Sequence, residues 1–598
     1  VKAQAIRLYT ADGTGTIGIG GGAGTLNISD AELDLLRYTG TAAGTGLIIG
    51  ENGVQSGAIT VQTAAPHSSA ASARITINSN NAAGSGTKTV TFDDGAAATA
   101  LATGGSGPIT VNAGTGGILA ARATGSHAEI STTGIISLSS AGAIGSSANR
   151  VQFAAGQDEI DVSNAPGGVW FDGLGMLTLG SASADQETGN GGLDATTQGG
   201  GNIVLVRPWN TGSGSVSLDP AGSIVLDYNG TVIEQTTADL SFMKPVVIGE
   251  NTTITQSAGN ALNTISFAAA IDDETAGTHS FTLNAGASAA EFADLIGGSK
   301  ALSAATITST AASGIRLTGS AAQSVWKTSG LLTVNGSLSA ANDPTFISGD
   351  IALGSGTWDW DANNDGAGIL TFLTYRTGAA SATPMNIGFA GAGWSLDDAD
   401  LARLNAAASD GGTIVFGESG AQYGEIAFRT ADFSAANAGA GFEIRAYSNA
   451  SNGSGVNGTI LLDSDGGAAT ALKAGSGEIS LYAFESISAA AVPDLAGHIA
   501  TSGVINLSLS TNTGEGLRIG AGTLPDTPTQ PVEIAAGHTE VNASGFAPGG
   551  VWLMGVGGPI KIGSITAAGP LVATTYSAGD VIYLTDDIDS NGANVVFS

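Results

Sequence analysis

The first third of this chain is written again in its last third. ISDAELDLL at Ile28–Leu36 returns as LDDADLARL at Leu396–Leu404, 368 positions later (28 to 396). LATGGSGPIT at Leu101–Thr110 returns as LKAGSGEIS at Leu472–Ser480, close to 370 positions on. VQFAAGQDEIDVSNAPGGVW at Val151–Trp170 returns as VEIAAGHTEVNASGFAPGGVW at Val532–Trp552, now 382 positions away (170 to 552). Order is kept and the offset drifts slowly, so this is one long repeat with small insertions. A repeat of this length, built from short apolar runs and Gly/Asn/Asp turns, adds length to a quasi-one-dimensional fold rather than a second compact core.

The runs themselves read as strands. ITINS, ITVNA, SIVLDY, SFTLNA, LLTVNG, TIVFGES and TILLDSD alternate or run apolar for a few residues and are punctuated by Gly, Asn, Asp or Ser. Such spacing also suits a sandwich or barrel. Proline is sparse, at 15, and two-residue hairpin turns do not recur in succession, which favours strands that turn a corner and continue around a coil. At roughly 20 to 25 residues per coil and ~4.8 Å per stacked strand, the expectation is a rod very roughly 115 to 145 Å long. DAELDLLRY and DADLARLNA are expected to add a helical turn or two each, since nine residues are marginal as free helices. IGIG from Ile17 is matched by IGFA from Ile387, which divides the chain into a leading partial coil (1–16), a first copy (17–240), an unduplicated stretch (241–386) and a truncated second copy (387–598).

Composition narrows function. The chain has 598 residues, 19 Lys+Arg against 51 Asp+Glu and a net charge of −32, with no basic cluster, so neither nucleic acid nor an anionic membrane is an expected partner. The absence of cysteine excludes a disulfide scaffold and thiolate metal sites, and accords with export across an envelope. No apolar run approaches the ~18 to 20 residues of a membrane helix. The opening residues lack a signal-peptide layout and the closing VIYLTDDIDSNGANVVFS stops inside a strand pattern, so the expectation is a piece of a longer protein.

Several segments carry a resemblance. ISDAELDLLRYTGTAAGTGLIIGENGVQSGAITV, LSSAGAIGSSANRVQF at Leu138–Phe153, ISFAAAIDDETAGTHSFTLNAG at Ile265–Gly286 and LTDDIDSNGANVVFS at Leu584–Ser598 resemble the repeats of bacterial filamentous-haemagglutinin-like adhesins. The resemblance covers most of the chain. It implies a right-handed parallel β-helix secreted to the cell surface, in such proteins often by two-partner secretion. The NPNG-type signature of the secretion domain and an Arg-Gly-Asp tripeptide are both absent.

Candidate chemistry is thin. Asp361, Asn363, Asp365 and Gly366 match the first half of a calcium loop, but Phe372 stands where the closing glutamate belongs. Asp587, Asp589, Asn591 and Gly592 match the same half-pattern. Asp and Asn are also what tight turns require. Asp272, Asp273 and Glu274, and Asp397, Asp398 and Asp400, are the acid clusters a glycosidase would need; a lyase would also need cations for an acidic glycan. They read as solvated turn carboxylates. His67, His127, His279, His498 and His538 lie far apart and read as surface residues. Trp170 and Trp552 recur inside PGGVW, as sugar platforms or as packing. Trp358 and Trp360 share one face, adhesive if outward and core if inward.

The expectation is therefore an all-β, right-handed parallel β-helix rod: a secreted, non-catalytic bacterial adhesin or filament and matrix protein. Catalytic, cofactor-binding and metal residues are not assigned, and calcium is the one ion considered. Self-association and a host-cell or glycan receptor are the expected partners. The alternatives are a polysaccharide lyase or hydrolase on the same fold, or a surface-layer protein. An ice-binding surface is disfavoured because no sustained Thr-x-Thr array is present.

Overall fold

In a computed structural model the chain is all-β, built from long sheets of parallel strands in a solenoid-like arrangement. The structure describes residues 2–597 apart from 67–71, 96–97, 104, 157–158, 182–185, 321–323, 361–367, 379–380, 406–411, 435–441, 452–456, 464–468, 491–496, 510–517, 524–526, 531, 536–537, 545–549, 557, 567–569, 576–579 and 590–593. Two compact units divide it, Val1–Glu291 and Phe292–Ser598.

In the N-terminal unit the chain comes to visit three sheets in strict rotation. Leu193–Thr197, Ile203–Leu205 and Trp209–Gly212 are followed by Val216–Asp219, Ile224–Leu226 and Gly230–Gln235, one strand per sheet. Each strand pairs in parallel with its counterpart one circuit on. Leu193, Val216, Leu240 and Ile265 therefore form one column, Ile203, Ile224, Val246 and Ile271 a second, and Trp209, Ile233, Ile254 and Leu283 a third. Every member is at most 1% exposed. Alternation explains this, because residues at i and i+2 of a strand share a face and the apolar ones turn inward. A fully buried Val, Ile or Leu contributes about 1.5–3 kcal/mol, and the backbone groups are satisfied by the neighbouring circuits.

In the C-terminal unit the same kind of column recurs, and one of them begins with aromatic residues. Trp326 meets Phe346 edge-on, and Phe346, Phe372 and Phe416 stack, with successive ring centroids 5.6, 6.0 and 5.8 Å apart across four strands; Ala446, Leu481, Leu507 and Ala543 continue the column. Met385, Ile426, Ile460, Ile487, Ile519, Val551 and Leu571 form another. Among the described strand pairs only Ala521–Thr523 with Thr527–Gln530 is antiparallel.

The two helices close the same corner of each copy. α1 (Asp30–Leu33) is held by a capping box, Glu32 Oε2 accepting from Ser29 N at 2.9 Å while Ser29 Oγ accepts from Glu32 N. α2 (Asp398–Asn405) repeats the box with two aspartates: Asp397 Oδ1 accepts from Asp400 N at 3.1 Å, and Asp400 Oδ2 from Asp397 N at 3.1 Å.

The duplication is visible atom by atom. Ile17 pairs with Leu26 and Ile59; Met385, 368 positions on (17 to 385), pairs with Trp394 and Ile426. Ile17 thus corresponds to Met385 rather than to Ile387, a two-residue correction to the alignment read from IGIG. Thr63 and Thr430 hold positive φ angles of 48° and 51° at the same corner. Gln55 Nε2 donates to the Gly57 and Gly15 carbonyls, as Gln422 Nε2 does to those of Gly424 and Thr383. Gly20 (φ 66°) and Gly388 (φ 87°) sit under a facing strand, where a Cβ would lie 2.2 Å from Gln62 O and 1.9 Å from Arg429 O. Gly388→Ala is expected to destabilise its unit by about 1–3 kcal/mol, through left-handed backbone strain and this clash. A urea melt reads it, and an unchanged midpoint would contradict the account.

Candidate functional site

The residues singled out in the sequence are mostly engaged by the fold itself. Asp273 is 1% exposed. Its Oδ2 accepts from Thr278 N at 2.8 Å and His279 N at 2.9 Å, and its Oδ1 from Thr275 N at 3.1 Å, with His279 Nδ1 at 2.8 Å. Asp400 is 8% exposed and also accepts from Leu353 N at 2.6 Å; burial raises its pKa to about 6. These two are structural, buried carboxylates and not the solvated ones expected. In each case the carboxylate is the acceptor for backbone N–H groups, those of its own turn at Asp273 and one from the strand Asp350–Leu353 at Asp400. Asp272 is half-buried, and Glu274 and Asp398 are exposed.

The histidines divide. His498 and His538 are each 1% exposed, which corrects the surface assignment. His538 uses both ring nitrogens on backbone groups, Nδ1–H donating to Ala535 O at 3.0 Å and Nε2 accepting from Lys561 N at 3.0 Å; burial lowers its pKa. His279 is mostly buried against Asp273, and His127 is half-buried beside Ser126 Oγ at 3.2 Å. His67 lies outside the described residues, as do Asp361, Asn363, Asp365, Gly366, Asn591 and Gly592. Asp587 and Asp589 are exposed, and no three metal-ligating side chains converge among the described residues.

Trp358 and Trp360 are 0% exposed, which removes the adhesive patch they would have formed outside. They pack on Phe346 and Phe442, with centroids at 5.5 and 5.0 Å. Trp170 and Trp552 share a packing geometry. Each ring lies over the glycine two residues before it, Gly168 (φ 97°) and Gly550 (φ 96°), so close that a Cβ there would lie 2.8 and 2.6 Å from the ring. PGGVW repeats because the ring needs a glycine beneath it. Trp170 stays half-buried while Trp552 is 4% exposed.

Two arrangements were not foreseen. The first is a buried acid network in the N-terminal unit. Glu129, 2% exposed, accepts from Gln152 N at 2.6 Å; Gln152 Nε2 donates to Asp172 Oδ2 at 2.8 Å, and Thr196 Oγ1 donates to Asp172 Oδ1 at 2.7 Å. Burial, aided by the charges of Asp94 and Asp172, pushes the Glu129 pKa up to about 8. In the second copy the same backbone positions carry a different pair. Leu101 N donates to Glu129 O and Glu129 N to Gln152 O, as Leu472 N does to His498 O and His498 N to Glu533 O. Glu533 N then reaches His498 Nδ1 at 3.2 Å, where Gln152 N reaches Glu129. The opposition of Glu129 to His498 in the aligned copies was the available signal.

The second is a cleft of about 330 Å³ within the C-terminal unit. Lys327, Ile347 and Leu373 follow one another across three adjacent strands and form its floor, while Arg376, Glu418 and Gln422 stand at its side. Arg376 Nη2 lies 2.5 Å from Glu418 Oε2, and the Lys327 ammonium lies 6.0 Å from the Tyr375 ring centre. No protein-family model, curated protein or solved structure matches the chain.

Proposed function

We propose that this chain is a non-catalytic stretch of a secreted bacterial surface or matrix filament, a right-handed parallel β-helix rod of the filamentous-haemagglutinin-like kind. The observation that carries the reading is the atom-level reuse of one frame. The same strands, glycines, buried glutamines and helix caps serve twice, so the second copy extends a scaffold and introduces no second kind of domain. The buried members of both acid clusters, Asp273 and Asp400, already accept two or more backbone N–H groups each, which favours a scaffold over a lyase or hydrolase.

Self-association into a filament or matrix is part of this reading. Tyr583, Leu584, Val595 and Phe597 are 49, 52, 40 and 40% exposed on strands of long parallel sheets, and such surfaces recruit further strands. Lateral packing must overcome the −32 charge, which salt screens beyond about 8 Å and calcium bridges. Sedimentation at micromolar concentration with and without calcium, together with electron microscopy, tests both parts. The expected result is an elongated particle that associates, with Tyr583→Lys and Phe597→Lys reducing association. A compact frictional ratio would overturn the rod. A monomer indifferent to salt and calcium would overturn the assembly. Turnover of a pectin-like or alginate-like polymer that is lost on substituting one of the acid clusters would overturn the non-catalytic reading.

A further inference from the structure

We propose that the cleft floored by Lys327, Ile347 and Leu373 binds a small organic anion with a carboxylate head and a short aliphatic body. The three floor residues occupy consecutive register positions on Val325–Lys327, Thr345–Ser348 and Ile369–Thr374, all on the outward, half-buried face. Two branched aliphatic side chains laid side by side beneath a cleft are matched by a ligand that covers them, which an inorganic anion does not do. The Lys327 ammonium supplies the charge at one end. At the side, Glu418 orients the Arg376 guanidinium, whose fork of five N–H donors suits a carboxylate.

The first copy shows that the scaffold does not need this cation. There Thr10 Oγ1 donates to Gln55 Oε1 at 3.2 Å, as Thr374 Oγ1 does to Gln422 Oε1 at 3.0 Å, and each glutamine then binds the glycine carbonyl two residues on. Two residues after that threonine stands Asp12 in the first copy and Arg376 in the second. Asp12 closes its own turn, accepting from Thr14 N at 3.0 Å and Gly15 N at 3.3 Å. Ser56 after the glutamine likewise becomes Tyr423. One frame thus carries an acid and a small hydroxyl in one copy, and a cation and an aromatic ring in the other. In a chain with 19 basic residues against 51 acidic ones, a lysine and an arginine brought to one cleft beside a single glutamate, Glu418, leave a local excess of positive charge.

The site is independent of the filament reading, and its failure leaves that reading untouched. The test is titration of the whole chain with hexanoate, followed by calorimetry and by the methyl resonances of Ile347 and Leu373. Expected are saturable binding, shifts at both methyl groups, and acetate weaker by roughly tenfold or more because less aliphatic surface is buried. Lys327→Met should weaken hexanoate by roughly tenfold, the scale of a charge-assisted contact, while Lys327→Arg retains it. Circular dichroism confirms that both variants fold. The proposal is overturned if hexanoate does not saturate, if inorganic phosphate or hexylammonium binds equally well, or if Lys327→Met binds as the parent does.

Discussion

Glu129→Gln is expected to flatten the pH dependence of stability of the N-terminal unit and to make that unit more stable than the parent above pH 8. The parent side chain is a buried acid with its pKa raised from 4.5 to about 8. The folded state therefore holds a proton that the unfolded chain has released. Stability from this group is full below pH 4.5, falls as pH rises towards 8, and then levels off. The span corresponds to at most ~4–5 kcal/mol at 1.36 kcal/mol per unit. Glutamine keeps an oxygen to accept from Gln152 N and has no proton to lose. Parent and variant should coincide below pH 4.5 and diverge progressively up to pH 8. Hydrogen exchange of the Ile130–Ser131 and Val151–Phe153 amides, which report on this unit, reads the divergence. Parallel profiles across that range would mean that Glu129 is ionised throughout.

Phe372→Ala is expected to cost the C-terminal unit about 3–5 kcal/mol, as other large-to-small changes at fully buried aromatic positions do. Phe372 is 0% exposed, and its ring meets Phe346, Trp394 and Phe416 with centroids at 6.0, 5.7 and 5.8 Å. Its neighbours are pinned from both sides by strand pairing, so the cavity cannot collapse along the column. Phe372→Leu should cost less, and Leu331→Ala, at a side chain 45% exposed, should stay within about 0.5 kcal/mol. Urea unfolding followed by tryptophan fluorescence gives all three. A cost near that of Leu331→Ala would show that the ring column is not what holds these strands together.

Strand existence, inward alternation, the two helical corners and the duplication are properties of residues near one another in sequence, and all were legible. Ile109, Val111, Ile203 and Leu205 declare their inward face by period alone, and each is 0% exposed. The resemblance of Ile28–Leu36 to Leu396–Leu404 marks the positions of α1 and α2. The sequence also carried the turn chemistry, with glycines where φ turns positive, at Gly20 and Gly388.

What only the tertiary structure decided is which polar side chains lie inside and what they meet. Asp273, Asp400, His498 and His538 looked like surface residues because local pattern treats any charged or imidazole side chain at a turn as outward. Their burial depends on backbone N–H groups supplied by folding: Asp400 draws one from Leu353, His538 one from Lys561. Trp358 and Trp360 posed the same question in reverse. Their two-residue spacing fixed a shared face, and only the rings of Phe346 and Phe442 settle that this face is the interior. The cleft at Lys327 and Arg376 follows the same logic, since its floor is assembled from strands 20 and 26 residues apart (327, 347, 373). Periodicity along the chain sets the face of a strand, while register across circuits sets the neighbour, and the free energy of a buried charge is decided by the neighbour.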